Sequence, residues 1–254
     1  MLVHSVRRVY GELLFRQATR HATLLHPFLY VIDFKRALGF GEAQHDFVFC
    51  RDCEQLLSRN GENWVIRQLA DEDGFPLLAN LHSAPAAMID DDMKVYACDP
   101  VSGFDCDKLA HFGMGIFWKG HAHQWPNCER LHLGNYGEPI RKYLRGEGPF
   151  PDNVALIIRV AEMAKPPWGG RFPILAGKRP CHHFNFYLSG VDFSLGVGRG
   201  IPHFLQKMCF CHNPARPIIV GLHVASDEIA TVQSVLKKSR PSQKLAALLK
   251  GPKP

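Results

Sequence analysis

The sequence FVFCRDCEQLLSRNGENWV, residues 47–65, is the stretch from which the rest of this chain is interpreted. Three apolar residues lead into CRDC, which begins at Cys50 and ends at Cys53, and a short amphipathic run follows Glu54. In metal-binding folds a CxxC pair lies where a strand turns into a helix, so that both sulfurs reach one Zn²⁺. We therefore expect the two sulfurs to lie close together at the start of a helix.

The CxxC pair supplies only half of a tetrahedral zinc site, which has four ligands. His26 and His45 are the nearest upstream candidates for the other half. The sequence thus predicts a structural Zn²⁺ held by Cys50, Cys53 and these upstream histidines. Two other interpretations stay open: the thiols are ordinary core residues, or they form a redox dithiol, although no βαβ pattern surrounds the motif as it does in thioredoxin-like proteins.

The composition is typical of a folded globular protein. The 254 residues are 46% hydrophobic and 21% charged, which excludes a disordered chain and allows one large domain or two small ones. No apolar run reaches the roughly 20 residues needed to span a bilayer. The first residues also lack the apolar region and cleavage site of a signal peptide. We expect a cytoplasmic protein with no membrane contact.

Eight cysteines are too few for a disulfide scaffold in a chain of this length. In a reducing compartment we expect them to be core residues or metal ligands. CHH at 181–183 and CFCH at 209–212 are explained most simply by packing in a sheet, because phenylalanines stand beside the cysteines. HAHQW at 121–125 is expected to be extended, with His121 and His123 on one face, as would suit a metal.

The net charge of +6 comes from the end of the chain, because residues 1–236 carry no net charge. Residues 237–254 contain six cations and no acid, which makes a basic tail that can contact DNA phosphates. A basic terminus that only aids solubility is the other interpretation. The cations of the tail are Lys237, Lys238, Arg240, Lys244, Lys250 and Lys253.

Helical spacing is clearest after Asp105, a good N-terminal cap. The pattern predicts a helix over 105–119 that buries Leu109, Phe112, Ile116 and Phe117. A second helix is expected over about 138–145, ending at Gly146, and short strands are expected in LLANLH (77–82) and KVYAC (94–98).

The second half of the chain is predicted to form a sheet. VALIIRVA (154–161), HFNFYLSG (183–190), VDFSLGVG (191–198) and ARPIIVGLHVA (215–225) are expected strands, followed by an amphipathic helix over 227–238. The predicted fold class is α+β. A helical, knuckle-bearing part at 1–150 precedes a mostly antiparallel sheet with a basic C-terminal helix at 151–254. The two parts can also share one core.

The pattern D-x-x-x-CxxCE-Q-x-x-S-x-x-GE-N-W-V at 46–65 resembles a group of bacterial proteins related to HNH endonucleases. The likeness continues through KLAHFGMGIFWKGHAHQW (108–125) and LGNYGEPIRKYLRGEGPFP (133–151). The resemblance implies a ββα-metal element. In it two CxxC pairs hold a structural Zn²⁺, and a strand histidine activates water on a catalytic divalent ion such as Mg²⁺.

Within this resemblance Cys50 and Cys53 match the second cysteine pair, Glu54 stands directly after it, and His26 matches the strand histidine. His26 would be the general base and Glu54 a ligand of the catalytic ion. The first cysteine pair is missing. The resemblance therefore implies a nucleic-acid-associated, metal-dependent nuclease fold that is degenerate, with weak or no nuclease activity. The alternative is a non-enzymatic interaction or scaffold protein of a defence or mobile-element system.

Overall fold

The structure is a computed structural model, and it has a mixed α/β fold with a mostly antiparallel open sheet. It describes residues 31–32, 37–38, 50–70, 73–90, 92–98, 104–123, 130–164, 166 and 170–238, with the side chains of 31–32, 37–38 and 232–238 excepted.

The described strands are β1 Val31–Ile32, β2 Ala37–Leu38, β3 Met88–Asp90, β4 Met93–Ala97, β5 Val154–Ala161, β6 Gly170–Gly177, β7 His182–Leu188, β8 Val191–Val197 and β9 Pro217–Gly221. They form one sheet in the order β2-β1-β6-β7-β8-β5-β9-β4-β3. Neighbouring strands are antiparallel except for two parallel pairs, β1 with β6 and β5 with β9. The hairpin that joins β7 and β8 places Phe186 opposite Phe193.

Helices alternate with the strands along the chain, and the first described helix begins at the cysteine motif. They are α1 Arg51–Leu57, α2 Pro76–His82, α3 Cys106–Ala122, α4 Gly137–Leu144, α5 His203–Lys207 and α6 His223–Lys238. The backbone of α1 continues as a π-helical turn, Ser58–Glu62. The predicted helix after Asp105 is confirmed, and the Asp105 carboxylate accepts a hydrogen bond from the backbone N–H of Lys108 at 3.0 Å.

The central helix α3 packs on one face of the sheet. All four residues predicted to be buried on it are at most 2% exposed. The rings of Phe112 and Phe117 meet Phe186 edge-on, and Phe112 also meets Phe193 at 5.6 Å between ring centroids. A Cβ at Gly113 would lie 2.8 Å from the Phe193 ring, so this close approach requires glycine.

The opposite face of the sheet holds α6 through charged contacts. Arg171 donates to both carboxylate oxygens of Glu228, at 2.8 to 3.1 Å, and the two side chains are almost fully buried. Arg159 bridges Asp192 and Asp227 at 3.1 Å to each. Burial raises the pKa of the Glu228 carboxyl, and the nearby Arg171 opposes that rise. Removing either partner of such a buried pair would leave an uncompensated charge in the interior, which is strongly destabilising.

Three expectations drawn from local sequence patterns are corrected. Residues 77–82 form α2 instead of a strand, because Pro76 starts the helix and its leucines recur at helical spacing. Strand β6 was not expected, because Pro173 interrupts its pattern, and its pairing with β7 shifts register beside that proline. His121 belongs to the last turn of α3, so HAHQW does not begin as an extended segment.

The cysteines are the fourth correction. Cys98 and Cys106 form a disulfide, with their Cα atoms 6.0 Å apart, where reduced core residues or metal ligands were expected. This Cα separation is typical of disulfides. Cys98 directly follows β4 and Cys106 begins α3, so the bond ties the strand next to the β3 edge of the sheet to the central helix. Cys181 and Cys209 are free and buried in a small apolar cluster, as the packing interpretation predicts.

Within the described residues, no helix has the length and apolar character needed to cross a membrane.

The packing of α3 predicts a large effect for Phe112→Ala. Removing this ring from a 1% exposed site leaves a cavity between the helix and the sheet. We expect the free energy of unfolding to fall by about 3 to 5 kcal/mol, measured by urea denaturation. Phe204→Ala, at a 64% exposed site, is the matched control and should change it by less than about 0.5 kcal/mol. Equal losses for the two variants would contradict the packing described above.

Candidate functional site

The cysteine motif forms the entrance to α1. Cys50 is the N-terminal cap of this helix and is exposed, whereas Cys53 lies in the first turn and is half-buried. The two thiols are in hydrogen-bond contact. The structure therefore places both sulfurs together at the start of a helix, as the CxxC spacing predicts.

The two thiols differ in acidity because one donates a hydrogen bond to the other. The backbone N–H and the thiol of Cys53 both hydrogen-bond to the Cys50 sulfur, and these contacts lower the pKa of Cys50. The same thiol contact and partial burial raise the pKa of Cys53, and the guanidinium of Arg145 partly opposes that rise. The pair thus favours a thiolate at Cys50 beside a thiol at Cys53. Such a thiolate is the form that binds metal or reacts as a nucleophile.

The segment that follows the cysteines is fixed to α3 by close packing. A Cβ at Gly61 would lie 2.8 Å from the backbone nitrogen of Phe112, so the π-helical turn rests directly on the backbone of α3. Glu62 forms a buried ion pair with Lys119 on the same helix. These contacts give the Gly-Glu of the NGENW segment a structural role. They also orient α1 and the thiols at its start.

The predicted site residues are only partly brought together. Glu54 is 7% exposed, because it lies on the buried side of α1. His26 and His45 lie outside the described residues. Within the part of the chain that the structure describes, no three His, Cys, Asp or Glu side chains are arranged to hold a metal ion. Cys50 and Cys53 are thus the two predicted zinc ligands whose positions are established.

Arg145 is a residue of this site that the sequence does not reveal. It follows α4 directly, forms an ion pair with Glu147, and its charge acts on the Cys53 thiol. Sequence reasoning assigned it only to the end of a helix, since nothing in the local pattern links it to cysteines on another helix.

The basic tail is described only at its beginning. Lys237 and Lys238 are the last two residues of α6. The other four predicted DNA-contacting cations, Arg240, Lys244, Lys250 and Lys253, lie outside the described residues.

Comparison with known proteins gives no relative of this chain. No family model, no curated protein and no solved structure matches it. The resemblance of residues 46–65 to HNH-related proteins accordingly stays a prediction.

The contact between the thiols predicts an unusual reactivity for Cys50. In metal-free protein, Cys50 should be alkylated by iodoacetamide at a lower pH than an ordinary cysteine, because hydrogen bonds from Cys53 stabilise its thiolate. Cys53→Ala removes the thiol donor, so the pKa of Cys50 should rise and its alkylation should shift to higher pH. Peptide mass spectrometry measures the rate at each site.

Cys211 provides an internal control for this experiment, because burial raises the pKa of its thiol well above the usual range. It should stay unmodified while Cys50 reacts. An identical pH profile for Cys50 with and without the Cys53 thiol would show that the two side chains do not interact.

Proposed function

We propose that this chain is a nucleic-acid-associated protein of the HNH-like kind, in which Cys50 and Cys53 supply the thiolate half of a structural Zn²⁺ site. The observation that carries the proposal is the contact between the two sulfurs at the start of α1, with Cys50 exposed. Zn²⁺ binds thiolates, and the lowered pKa of Cys50 reduces the cost of forming one.

The order of elements around the thiols supports an HNH-like origin. β1 and β2 pair as antiparallel strands, with Val31 opposite Leu38, and α1 is the next described element in the chain. Strand, strand and helix is the order of a ββα-metal element. In this proposal two upstream histidines, His26 and His45, complete the zinc site.

The chemistry of the remaining residues favours weak or no nuclease activity. A catalytic Mg²⁺ keeps several water molecules and needs carboxylates that face solvent. Glu54, which follows the cysteine pair, is buried and poorly placed to bind such a hydrated ion. The first cysteine pair of the HNH pattern is also missing. Nuclease activity would need His26 as the general base and Glu54 as a ligand of the catalytic ion, and a His26 held by Zn²⁺ could not take that role.

Contact with nucleic acid is assigned to the basic tail. Residues 1–236 are neutral overall and offer no general attraction for phosphate, whereas the tail has six cations and no acid. Binding through such a tail releases counterions from DNA, so affinity falls steeply as salt is added.

A fluorescence anisotropy titration with labelled duplex DNA tests this assignment. The full chain is compared with a chain that ends at Leu236 and with a full-length variant in which the six tail cations are replaced by glutamine. We expect the full chain to bind with a slope of log affinity against log salt of about −0.9 per phosphate contact, and both altered chains to lose most of the binding. Supercoiled plasmid with Mg²⁺ should be nicked slowly or not at all.

Two outcomes would overturn the proposal in different ways. Equal binding by all three proteins would move the nucleic-acid contact from the tail to the folded body. Absence of binding by the full chain at low salt would reject nucleic-acid association. The interaction or scaffold protein of a defence or mobile-element system would then be the better explanation of the same cysteine motif.

A further inference from the structure

Two loops at one end of the sheet carry exposed cations. Residues 176–207 contain four cations and one acid, Asp192, and that acid is 3% exposed and paired with Arg159. The four cations are exposed, and within the part of the chain that the structure describes none of them forms an ion pair. They are Lys178 and Arg179 in the loop between β6 and β7, Arg199 in the loop between β8 and α5, and Lys207 at the end of α5.

The two loops touch each other. Gly200 lies against the backbone of Pro180, and a Cβ at Gly200 would clash with the backbone oxygen of that residue. Arg179 and Arg199 each stand one residue from this contact. The charges of the two loops are therefore neighbours in space, although they are far apart in the sequence.

Helix α5 is attached to the same loops. Cys181, Ile201 and Leu205 pack in one small apolar cluster, which joins the first loop, the second loop and α5. The side chain of Gln206 donates a hydrogen bond from Nε2 to the backbone oxygen of Ile201 at 3.3 Å. These contacts hold the end of α5 beside the two loops. We call residues 178–182 and 199–207 the basic loop surface.

Phe204 adds an exposed ring to the basic loop surface. Its side chain is 64% exposed, whereas the next residue, Leu205, packs against the apolar cluster. Lys207 comes three residues after Phe204 on α5, so the ring and the ammonium group lie on the same side of the helix. Proteins that bind single-stranded nucleic acid combine such groups, because cations contact the phosphates and exposed rings stack on unpaired bases.

The local charge is positive even though residues 1–236 carry no net charge. One exposed acid, Asp152, borders the surface, since the backbone oxygen of its neighbour Asn153 accepts a hydrogen bond from the backbone N–H of Gly198 at 3.0 Å. The four unpaired cations outnumber this single carboxylate. The basic loop surface therefore attracts a polyanion.

We propose that the basic loop surface binds a single-stranded stretch of nucleic acid, with its cations on the phosphates and one unpaired base stacked on Phe204. In a duplex each base is already paired and stacked on its neighbours, so the ring has no base face to contact. A single strand thus fits this surface better than the duplex assigned to the tail. The inference rests on the nucleic-acid association proposed above, but it uses neither the tail nor the thiols.

Fluorescence anisotropy with short labelled oligo-dT and oligo-U tests the proposal. The protein is the full-length variant whose six tail cations are replaced by glutamine, so that the tail does not contribute. We expect binding at low salt, with a slope of log affinity against log salt of about −0.7 per phosphate contact. The tighter of the two oligonucleotides identifies DNA or RNA as the source of the strand. Absence of binding by both would overturn the proposal, whatever the tail does with duplex DNA.

Three variants in the same background locate the binding. Arg179→Gln with Arg199→Gln removes two phosphate contacts and should make the salt slope shallower by about 1.4. Arg59→Gln with Arg67→Gln removes the same charge from exposed positions outside the surface and should leave the slope unchanged. Phe204→Ala should weaken binding roughly tenfold at an unchanged slope, because one stacked base is lost and no charge.

An abasic oligonucleotide separates stacking from a structural effect of Phe204→Ala. It keeps the phosphates but offers no base, so the variant and its parent should bind it equally. Oligo-dT and oligo-U binding that is unchanged in Phe204→Ala, or an equal change of slope in the two double variants, would overturn the proposal. Equal competition by polyglutamate of the same charge would also overturn it, since the surface would then recognise charge alone.

Discussion

The packing of α3 against the phenylalanines of β7 and β8 is the interaction on which the rest of the structure depends. Phe112 contacts both Phe186 and Phe193, and Gly113 lets the helix approach the sheet closely. The backbone of α3 at Lys108 and Phe112 then receives the π-helical turn at Gly61. The cysteine pair is thus positioned through two successive contacts, sheet to α3 and α3 to the segment that follows α1. Loss of the first contact would release the second.

The two faces of the sheet are covered by different physical means. Apolar rings hold α3, whereas α6 combines a small apolar contact, Val224 and Ala225 against Ala161, with paired charges such as Arg171 and Glu228. Buried ion pairs tolerate only a narrow range of geometries, because an unpaired partner would remain desolvated. They therefore fix the direction of α6, the helix at whose end the basic tail begins with Lys237.

Local sequence patterns were sufficient to predict a helix or strand wherever the residues of that element alone determined its structure. The spacing of Phe112 and its neighbours predicted α3, because one buried helix face leaves a period that can be read directly. Short apolar and aromatic runs bounded by turn residues predicted β5, β7, β8 and β9, although the last run was predicted to continue to 225 and its end belongs to α6. Local patterns failed where contacts with another part of the chain determine the structure. They did not predict β6, which contains a proline, or the disulfide between Cys98 and Cys106. At the site, CxxC gave the position of both thiols. The approach of Gly61 to Phe112 and the ion pair of Glu62 with Lys119 depend on contacts between elements that no local spacing records.

The central claim is that Cys50 and Cys53 bind Zn²⁺ as thiolates. X-ray absorption at the zinc edge, on the full chain purified without chelator, tests it most directly. The account predicts a four-coordinate site with two sulfur ligands at about 2.3 Å and two nitrogen ligands at about 2.0 to 2.1 Å, and loss of zinc from a Cys50→Ser, Cys53→Ser double variant. Protein that contains no zinc, or a zinc site without sulfur ligands, would contradict it.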